Sequence, residues 1–400
     1  MRLSFLVLSA LTSGASIPTV VAWGAAGHEI VATIAQMHLH PSALAPLCNV
    51  LNFTSVSTCH LAPIASWADR VRFRMRWSGP LHYVGGVTDH PPQTCAFPGD
   101  GGWAGERRHN VLSAVRNVTD IVEAWGDGDR KLDDANEATK FLVHFLGDMH
   151  MPLHLTGRER GGNNVKVKFG GRVTNLHGLW DNLLIAKAIR ETPRNYTKPL
   201  PSRAIEGALR DTIYDPWVRR IMWEGVLGQW RDEVADWVSC PTSHEEPVQG
   251  MWQTVLSAFG LRARRTGDKD EMDDDVLCPY HWAAQIHPLN CEIIWPAALD
   301  KPPYGGNELA STSESSHEYH SCSGNEESTD SSPDAVNPSH PPPPPRVPYL
   351  QLDTPEYAGV IAERMIIEKL LAQAGIRLAA TLNWLFADIE EEDVRLGRVV

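Results

Sequence analysis

One stretch, residues 133–152, constrains the fold of this chain more than any other. Asp133 and Asp134 can cap a helix that continues through Asp148 and is limited by Pro152. Within it His144 and Asp148 are four residues apart, so a helix would place both on one face. The stretch therefore predicts a helix that presents an imidazole and a carboxylate side by side.

Helical patterns recur along much of the remaining chain. They occupy residues 27–38, 110–125, 203–237 and 355–386. The only clear strand signals are residues 165–169 and 172–174, which look like a small hairpin around Gly170-Gly171. We therefore expect a mainly α fold, a single-domain helical bundle over residues 23–400 with one small β-hairpin.

The first 22 residues have the pattern of a signal peptide. Arg2 precedes an apolar run that is too short to span a bilayer, and residues 20–22 suit a signal peptidase. Cleavage after Ala22 would give Trp23 a free α-amino group. No later stretch reads as a membrane anchor, so we expect a secreted protein. Glycosylation sequons that fit this compartment begin at Asn52, Asn117 and Asn195.

The charge of the chain limits how it could bind a polyanion. Lys and Arg number 36 and Asp and Glu number 49, which gives a formal net charge of −13. A generally basic, nucleic-acid-coating surface is thus excluded, and any phosphate-binding site must obtain its positive charge locally. Seven acidic residues against one arginine leave the Ser- and Pro-rich residues 304–346 at −6. We expect this segment to be a disordered insertion.

The cysteines fit an exported protein, because that compartment favours disulfides. Six cysteines lie outside residues 304–346 and allow many pairings. Cys48 and Cys59 would close a short loop and form the simplest predicted pair. Cys322 lies in the Ser-rich tract and is expected to be unpaired.

Residues that can bind metal are concentrated before position 182. His177 and Asp181 repeat the four-residue spacing of His144 and Asp148. Imidazole and carboxylate together suit zinc, and several such groups indicate more than one ion. A single His/Asp pair on a helix is usually only a hydrogen-bonded pair. The metal hypothesis therefore depends on several pairs occurring together with a free terminus at Trp23. Two-metal sites, with ions about 3.5–4 Å apart, stabilise displacement at phosphorus.

Four segments resemble the S1/P1 nuclease family. They read WGAAGH at 23–28, ASWADRVR at 65–72 with LHY at 81–83, HFLGDMHMPLH at 144–154, and NLHGLWD at 175–181. The resemblance covers nearly all of the chain after residue 22 and is strongest from Trp23 to Asp181. It implies a secreted, zinc-dependent, single-strand-specific nuclease whose helical fold is related to zinc phospholipase C.

The resemblance also implies a trinuclear zinc site. The nine zinc-binding positions would be Trp23, His28, Asp69, His82, His144, Asp148, His154, His177 and Asp181. Three Zn²⁺ ions would outweigh the charge of the three aspartates and attract a polyanion to an acidic protein. A water that bridges two ions would lose a proton near neutral pH and act as the nucleophile. Single-stranded DNA, RNA and 3′-mononucleotides would be substrates, with 5′-phosphorylated products from the polymers.

Around the metals, the resemblance assigns roles to five further side chains or functions. Asp69 would also orient the attacking water, and Arg72 would stabilise charge in the transition state. Tyr83 occupies the position of a base-stacking aromatic residue. Asn163 matches a Gly-Gly-Asn loop near the site. Arg160, beside that loop, would stack on a base or contact phosphate.

Disulfides and base preference complete what the resemblance implies. The family pattern pairs Cys95 with Cys278, and Cys240 with Cys291 then follows only by elimination. Gly85 stands where the family often has an aspartate, so no specific base preference is implied.

Two alternatives remain open from the sequence. A zinc phospholipase C would use a similar ligand set on a lipid phosphodiester, and a secreted zinc-binding protein would have an inactive site. Arg72 and Tyr83 favour the nuclease, which we expect to be a monomer. His60 and His150 match no ligand position and are interpreted as structural.

Overall fold

The computed structural model describes residues 23–200, 203–210, 212–241, 272–304 and 348–388. The expected signal peptide, residues 1–22, lies outside the described residues, as does almost all of the expected insertion at 304–346. The described part is mainly helical with one small sheet, which confirms the predicted fold class. None of its helices is long and apolar enough to pass through a bilayer.

The helices vary from single turns to a 21-residue helix at the end of the described chain. They are α1 (Ala25–Met37), α2 (Pro41–Val50), α3 (Ala62–Ala65), α4 (Trp67–Val71), α5 (Val111–Gly126), α6 (Leu132–Met149), α7 (Glu159–Gly162), α8 (Leu176–Gly178), α9 (Leu184–Glu191), α10 (Arg203–Leu209), α11 (Asp215–Arg220), α12 (Val234–Trp237), α13 (Pro279–Ile286), α14 (Val360–Glu363) and α15 (Ile366–Phe386). The 3₁₀ turns are Val56–Thr58, Arg76–His82, Pro152–Leu155 and Ala297–Asp300. The π-helical turns are Leu179–Leu183, Ile221–Gln229, Asn290–Ile294 and Pro355–Gly359.

The centre of the bundle is α6, whose last nine residues, Phe141–Met149, are all buried. Helices α1, α5 and α15 pack against it, and α15 also packs along α1. Gly375 of α15 permits that approach, because a Cβ there would lie 2.6 Å from a methyl carbon of Ile34. The apolar residues form one continuous cluster from Trp23 to Phe386, so α6 is held on several sides.

The beginning of α6 differs from the sequence prediction. The helix begins at Leu132, and Asp133 and Asp134 lie in its first turn without a side-chain capping bond. There the two carboxylates interact favourably with the positive end of the helix dipole instead. Helix α5 does have a side-chain cap: Asn110 and Ser113 form a capping box.

Other predicted elements are confirmed with interruptions. The hairpin pairs Lys166–Phe169 (β1) with Arg172–Asn175 (β2), and Leu350–Gln351 (β3) adds a parallel strand that the sequence pattern did not reveal. The last helical stretch is broken at Met365, whose φ of 49° is left-handed and therefore separates α14 from α15.

Two of the predicted disulfides are wrong. Cys48 bonds to Cys59 as expected, but Cys95 bonds to Cys291 and Cys240 to Cys278, with Cα separations of 6.0 and 5.7 Å. Cys278 immediately precedes α13 and its sulfur lies 3.7 Å from the carbonyl oxygen of Ser239, so this fold brings it to Cys240. Cys322 lies outside the described residues.

Candidate metal centre

The site is built on the buried C-terminal half of α6, where His144 and Asp148 are both fully inaccessible to solvent. The ring of His28, from α1, stacks on that of His144 with centroids 3.9 Å apart. Gly147 makes this possible, because a Cβ at that position would lie 2.6 Å from Nδ1 of His28. The predicted four-residue pair is thus joined by a third group from another helix.

Five side chains converge around Asp148, and we call them the Asp148 cluster: His28, Asp69, His82, His144 and Asp148. The carboxylate of Asp148 lies 3.3 Å from Nε2 of His28, 2.8 Å from Nδ1 of His82 and 3.3 Å from Nε2 of His144. Asp69, from α4, places Oδ1 3.6 Å from Nε2 of His144. Several chain segments therefore direct nitrogen and oxygen donors to one buried point.

A second group, the His177 cluster, consists of His154, His177 and Asp181. His154 lies in the 3₁₀ turn after Pro152, His177 in α8, and Asp181 in the π-helical turn that follows. Nε2 of His177 is 3.2 Å from Oδ2 of Asp181 and 3.3 Å from Nε2 of His154. Nδ1 of His154 lies 3.8 Å from Oδ1 of Asp148, so the two clusters are adjacent.

Backbone carbonyls orient the imidazole rings. Nδ1 of His144 donates to Ala65 (2.8 Å), Nδ1 of His154 to His82 (2.6 Å), and Nδ1 of His177 to the carbonyl of Gly161 (2.7 Å). Because a carbonyl only accepts, these bonds assign the proton to Nδ1 in the neutral rings and leave Nε2 as a lone pair. Metal-binding histidines commonly have such an arrangement.

The free lone pairs test whether the site suits a metal. The Nε2 atoms of His154 and His177 face each other at 3.3 Å, a repulsive contact for two neutral rings unless a cation lies between them. Several other buried atoms have no hydrogen-bond partner: Nε2 of His28, His82 and His144, both oxygens of Asp69, Oδ1 of Asp148 and Oδ1 of Asp181. Buried polar atoms are rarely left unsatisfied, so the donor set fits divalent cations such as Zn²⁺.

The electrostatics of the clusters are those of strongly coupled groups. Burial lowers the pKa of His144, but Asp148 and Asp69 raise it further, to about 10. Burial raises the pKa of Asp148, while His144 and His82 outweigh it and leave that pKa well below its ordinary value. Burial raises the pKa of Asp181 to about 6 despite His177. A divalent cation would displace the proton that the Asp148 cluster otherwise retains.

The structure places Trp23, predicted to bind metal through its main chain, next to the His177 cluster. Its side chain is fully buried, and the following Gly24 donates its N–H to the carbonyl of Asp181 at 2.9 Å. A Cβ at Gly24 would meet Oδ1 of Asn182, so only glycine allows this close approach. The structure thus brings eight predicted side-chain ligands and Trp23 into one region, and their role as ligands stays a prediction.

The other predicted site residues lie on the segments around the clusters. Arg72 is half-buried immediately after α4, three residues beyond Asp69, and Tyr83 follows His82 with 54% of its surface exposed. Exposure of the Tyr83 ring excludes ordinary core packing. Arg160 is exposed with a left-handed φ of 55°, and its carbonyl accepts a hydrogen bond from Nδ2 of Asn163 at 2.8 Å.

His150 has the structural role that the sequence suggested. Its Nδ1 donates to the carbonyl of Leu146 at 2.6 Å, and its Nε2 accepts from the buried Arg377 of α15 at 2.9 Å. This contact ties α6 to α15 outside the two clusters. A further buried group combines Asp89, His287 and Cys95, but the sulfur of Cys95 is already in a disulfide.

Two glycines shape the site and were not singled out from the sequence. Gly147 accommodates the His28 ring, and Gly161 has a φ of 63° and holds His177 through its carbonyl. A Cβ at Gly161 would lie 2.5 Å from the carbonyl oxygen of Leu153. The Gly161-Gly162 pair was a visible signal for a special backbone conformation, but the need for glycine between two ligands on α6 was not visible.

A helical bundle with buried imidazole and carboxylate donors in two adjacent clusters defines the class of metal-binding helical enzymes to which we compare the chain. The sequence model of the S1/P1 nuclease family matches residues 23–319. The chain belongs to the S1/P1 nuclease family.

Curated relatives agree with this membership. Endonuclease 2 of Arabidopsis thaliana is 30% identical over 266 residues, which are 65% of this chain and 83% of the relative. Nuclease P1 of Penicillium citrinum is 31% identical over 260 residues, 62% of this chain and 86% of the relative. Nuclease S1 of Aspergillus oryzae is 39% identical over a shorter match of 163 residues, 40% of this chain and 53% of the relative.

Proposed function

We propose that this protein is a secreted endonuclease that hydrolyses single-stranded DNA and RNA to 5′-phosphorylated products, with 3′-nucleotidase activity on 3′-mononucleotides. The observation that carries the proposal is the convergence of eight buried imidazole and carboxylate groups in the Asp148 and His177 clusters. The exposed Tyr83 ring directly follows one of these residues, His82. The names of the relatives, which are nucleases and endonucleases, support the same activity.

Three zinc ions per chain fit the donors available. Asp69, His82, His144 and Asp148 would hold one ion, and the main chain of Trp23 with His28 and Asp148 would hold another. His154, His177 and Asp181 would hold the third. When bound, the ions would acidify water and polarise phosphate oxygens near neutral pH.

The protein's own groups would orient the substrate around that chemistry. The carboxylate of Asp69, buried next to His144, would accept a hydrogen bond from the attacking water and fix its direction. Arg72, one turn beyond Asp69, would stabilise the negative charge that develops on the phosphoryl oxygens. Arg160 and Asn163, on the loop that orients His177, would contact the nucleotide beside the cleaved bond.

Single-strand preference would follow from the exposed ring of Tyr83. Stacking on an aromatic face contributes about 1–3 kcal/mol per base and is tolerant of base identity. Only an unpaired base can leave its neighbours to occupy such a face without an unpairing cost. The expected secretion and the single catalytic domain over residues 23–400 remain part of this proposal.

A direct test uses the purified protein with its N-terminus sequenced and its zinc content measured. We expect it to begin at Trp23, to contain three zinc ions per chain, and to degrade single-stranded DNA and RNA faster than duplexes. A chelator should abolish cleavage, and added zinc should restore it. A metal-loaded protein that leaves single strands intact but hydrolyses phosphatidylcholine would contradict the proposal and support a phospholipase.

A further inference from the structure

The segment between two members of the Asp148 cluster has an unusual composition. The chain leaves that cluster at Asp69 and returns at His82, and the residues between them read RVRFRMRWSGPL. Four arginines alternate with apolar residues, and no acidic residue occurs from position 70 to 88 in a chain whose net charge is −13. We call residues 70–81 the arginine–aromatic loop. It is a local positive region attached to the candidate metal centre at both ends.

The aromatic residues of this loop face solvent. Phe73 is 68% exposed and Trp77 is 53% exposed, and Tyr83 beyond the loop is 54% exposed. In the described part of the chain the fourth strongly exposed large aromatic residue is Tyr349, at 38%. Scattered exposed apolar residues are normal, but three large rings within 11 residues mark a binding surface.

Backbone contacts hold the loop in a defined shape. The N–H groups of Arg74 and Met75 both donate to the carbonyl of Val71 at 2.8 Å, and Met75 packs against the core. The hydroxyl of the buried Ser78 donates to the carbonyl of Met75 at 2.8 Å. Val71 and Met75 are therefore partly buried, while the alternate residues Phe73 and Trp77 project outward.

The base of the loop connects to the site through packed rings. Trp77 lies 5.6 Å from Phe141 between centroids, Phe141 stacks on Phe145 at 5.1 Å, and Phe145 meets the edge of His82 at 5.2 Å. Its 12 residues are anchored at both ends, so no part of the loop lies more than about 20 Å from the cluster along the chain. Any ligand on the loop is thus close to the metal centre.

We propose that the arginine–aromatic loop is a binding surface for the part of a single-stranded nucleic acid that lies outside the cleaved linkage. Phe73 and Trp77 stack on unpaired bases, and Arg74 and Arg76 contact phosphates. This inference rests on the proposed nuclease function and extends its substrate site beyond Tyr83 and Arg72. Charge complementarity selects the occupant, because a strand offers alternating bases and phosphates to alternating rings and guanidinium groups.

An anionic lipid surface is the competing occupant for exposed arginine and aromatic side chains. The loop is short and bounded by metal-centre residues at both ends, whereas a membrane-binding element usually presents a continuous amphipathic helix. The observed structure instead has a turn after α4 and a 3₁₀ turn, Arg76–His82. These features favour a strand that continues from the catalytic site.

The test compares a 12-nucleotide single strand with a dinucleotide as substrates of the zinc-loaded enzyme. The ratio of kcat/KM for the 12-mer to kcat/KM for the dinucleotide reports contacts beyond the cleaved linkage. Phe73→Ala and Trp77→Phe should each lower this ratio, and Phe73→Ala should lower it about 5-fold or more. Phe73 is so exposed that its truncation should leave the melting temperature unchanged.

Arginine variants test the charge contribution separately. In Arg74→Ala/Arg76→Ala, the salt dependence of 12-mer binding should weaken by about 1.4 in the slope of log K against log salt, or about 0.7 for each phosphate contact. Arg231→Ala/Arg364→Ala removes the same charge from exposed positions outside the loop and should leave the ratio and the slope unchanged. Tyr349→Ala is the matched control for an exposed ring.

Binding distinguishes this inference from the proposed function. Fluorescence anisotropy with a labelled, phosphorothioate-linked 12-mer measures affinity even if the wild-type enzyme cleaves nothing, an outcome that would reject only the proposed function. Weaker 12-mer binding by the loop variants supports the inference in either case. Wild-type affinity in both Phe73→Ala and Arg74→Ala/Arg76→Ala would overturn it, as would loss of binding to phosphatidylserine vesicles with 12-mer affinity intact.

Discussion

The Asp148 cluster and the His177 cluster use the same kinds of side chain but are assembled in different ways. The Asp148 cluster gathers residues from α1, α4, the Arg76–His82 turn and α6, spread from His28 to Asp148. The His177 cluster comes entirely from residues 154–181, a short region of turns and a hairpin. One cluster therefore depends on packing between distant helices, and the other on local backbone conformation.

This difference shows which interactions hold the ligands in place. In the Asp148 cluster, ring stacking of His28 on His144 requires the missing side chain at Gly147. In the His177 cluster, the carbonyl of Gly161 accepts from His177 in a backbone conformation that favours glycine. The two clusters should thus respond to different mutations, although Asp148 lies close enough to influence both.

Asp148→Asn should have the largest effect, because this carboxylate lies next to three imidazoles of its own cluster and near His154. An amide is a weaker donor to Zn²⁺ and leaves His144 without its negative partner. We expect kcat/KM on single-stranded DNA to fall by more than about 100-fold, the upper loss seen when only an outer partner of a metal ligand is removed. Elemental analysis should find fewer zinc ions per chain.

Asp133→Asn is the matched control, since it makes the same change at the exposed beginning of the same helix. It should cost at most about 1 kcal/mol of stability through the helix dipole and leave the zinc content unchanged. Full zinc content and activity in Asp148→Asn would show that Asp148 does not link the two clusters.

Gly147→Ala should damage the Asp148 cluster specifically. Its new Cβ would lie 2.6 Å from Nδ1 of His28, so the ring must move off His144. We expect overpacking to cost about 1–3 kcal/mol of the free energy of unfolding. Zinc per chain should decrease, with activity falling in parallel; the measurements are chemical denaturation and elemental analysis.

Gly126→Ala, at the end of α5, provides the control because no atom lies within 4 Å of its added Cβ. Alanine there should be neutral or stabilising by up to about 1 kcal/mol, since it favours the helix. Equal effects of the two substitutions would mean that helix propensity, and not the His28 ring, determines the role of Gly147.

The same contrast explains what could be predicted from the sequence. The ligand pair on α6 follows from a four-residue spacing, and the short disulfide Cys48–Cys59 follows from a short loop, because both are local. The pairing of Cys95 with Cys291 depends on which turns meet in the folded bundle, and it was predicted wrongly. The parallel strand β3 was missed for the same reason, since its partner β1 lies about 180 residues earlier.

Glycines that make room for a ligand are equally hard to predict. The helical pattern of α6 gave no reason to expect that Gly147 is needed by a ring from α1, since that contact exists only after packing. The carbonyl acceptors of Ala65, His82 and Gly161 are likewise invisible in a sequence, because every residue has a carbonyl. Side-chain chemistry was predictable here, and the backbone that orients it was not.

Gly161→Ala should have the smallest effect of the three substitutions and should act on the His177 cluster alone. Alanine at a φ of 63° costs about 1–2 kcal/mol, and its Cβ would also meet the carbonyl oxygen of Leu153 at 2.5 Å. The loop must shift, and the carbonyl that orients His177 shifts with it. Gly170→Ala has a φ of 55° but open space around the Cβ, so it reports the backbone cost alone. We expect Gly161→Ala to lose close to one zinc ion per chain while Gly170→Ala keeps all of them, and identical zinc contents would show that the Gly161 carbonyl does not hold the cluster together.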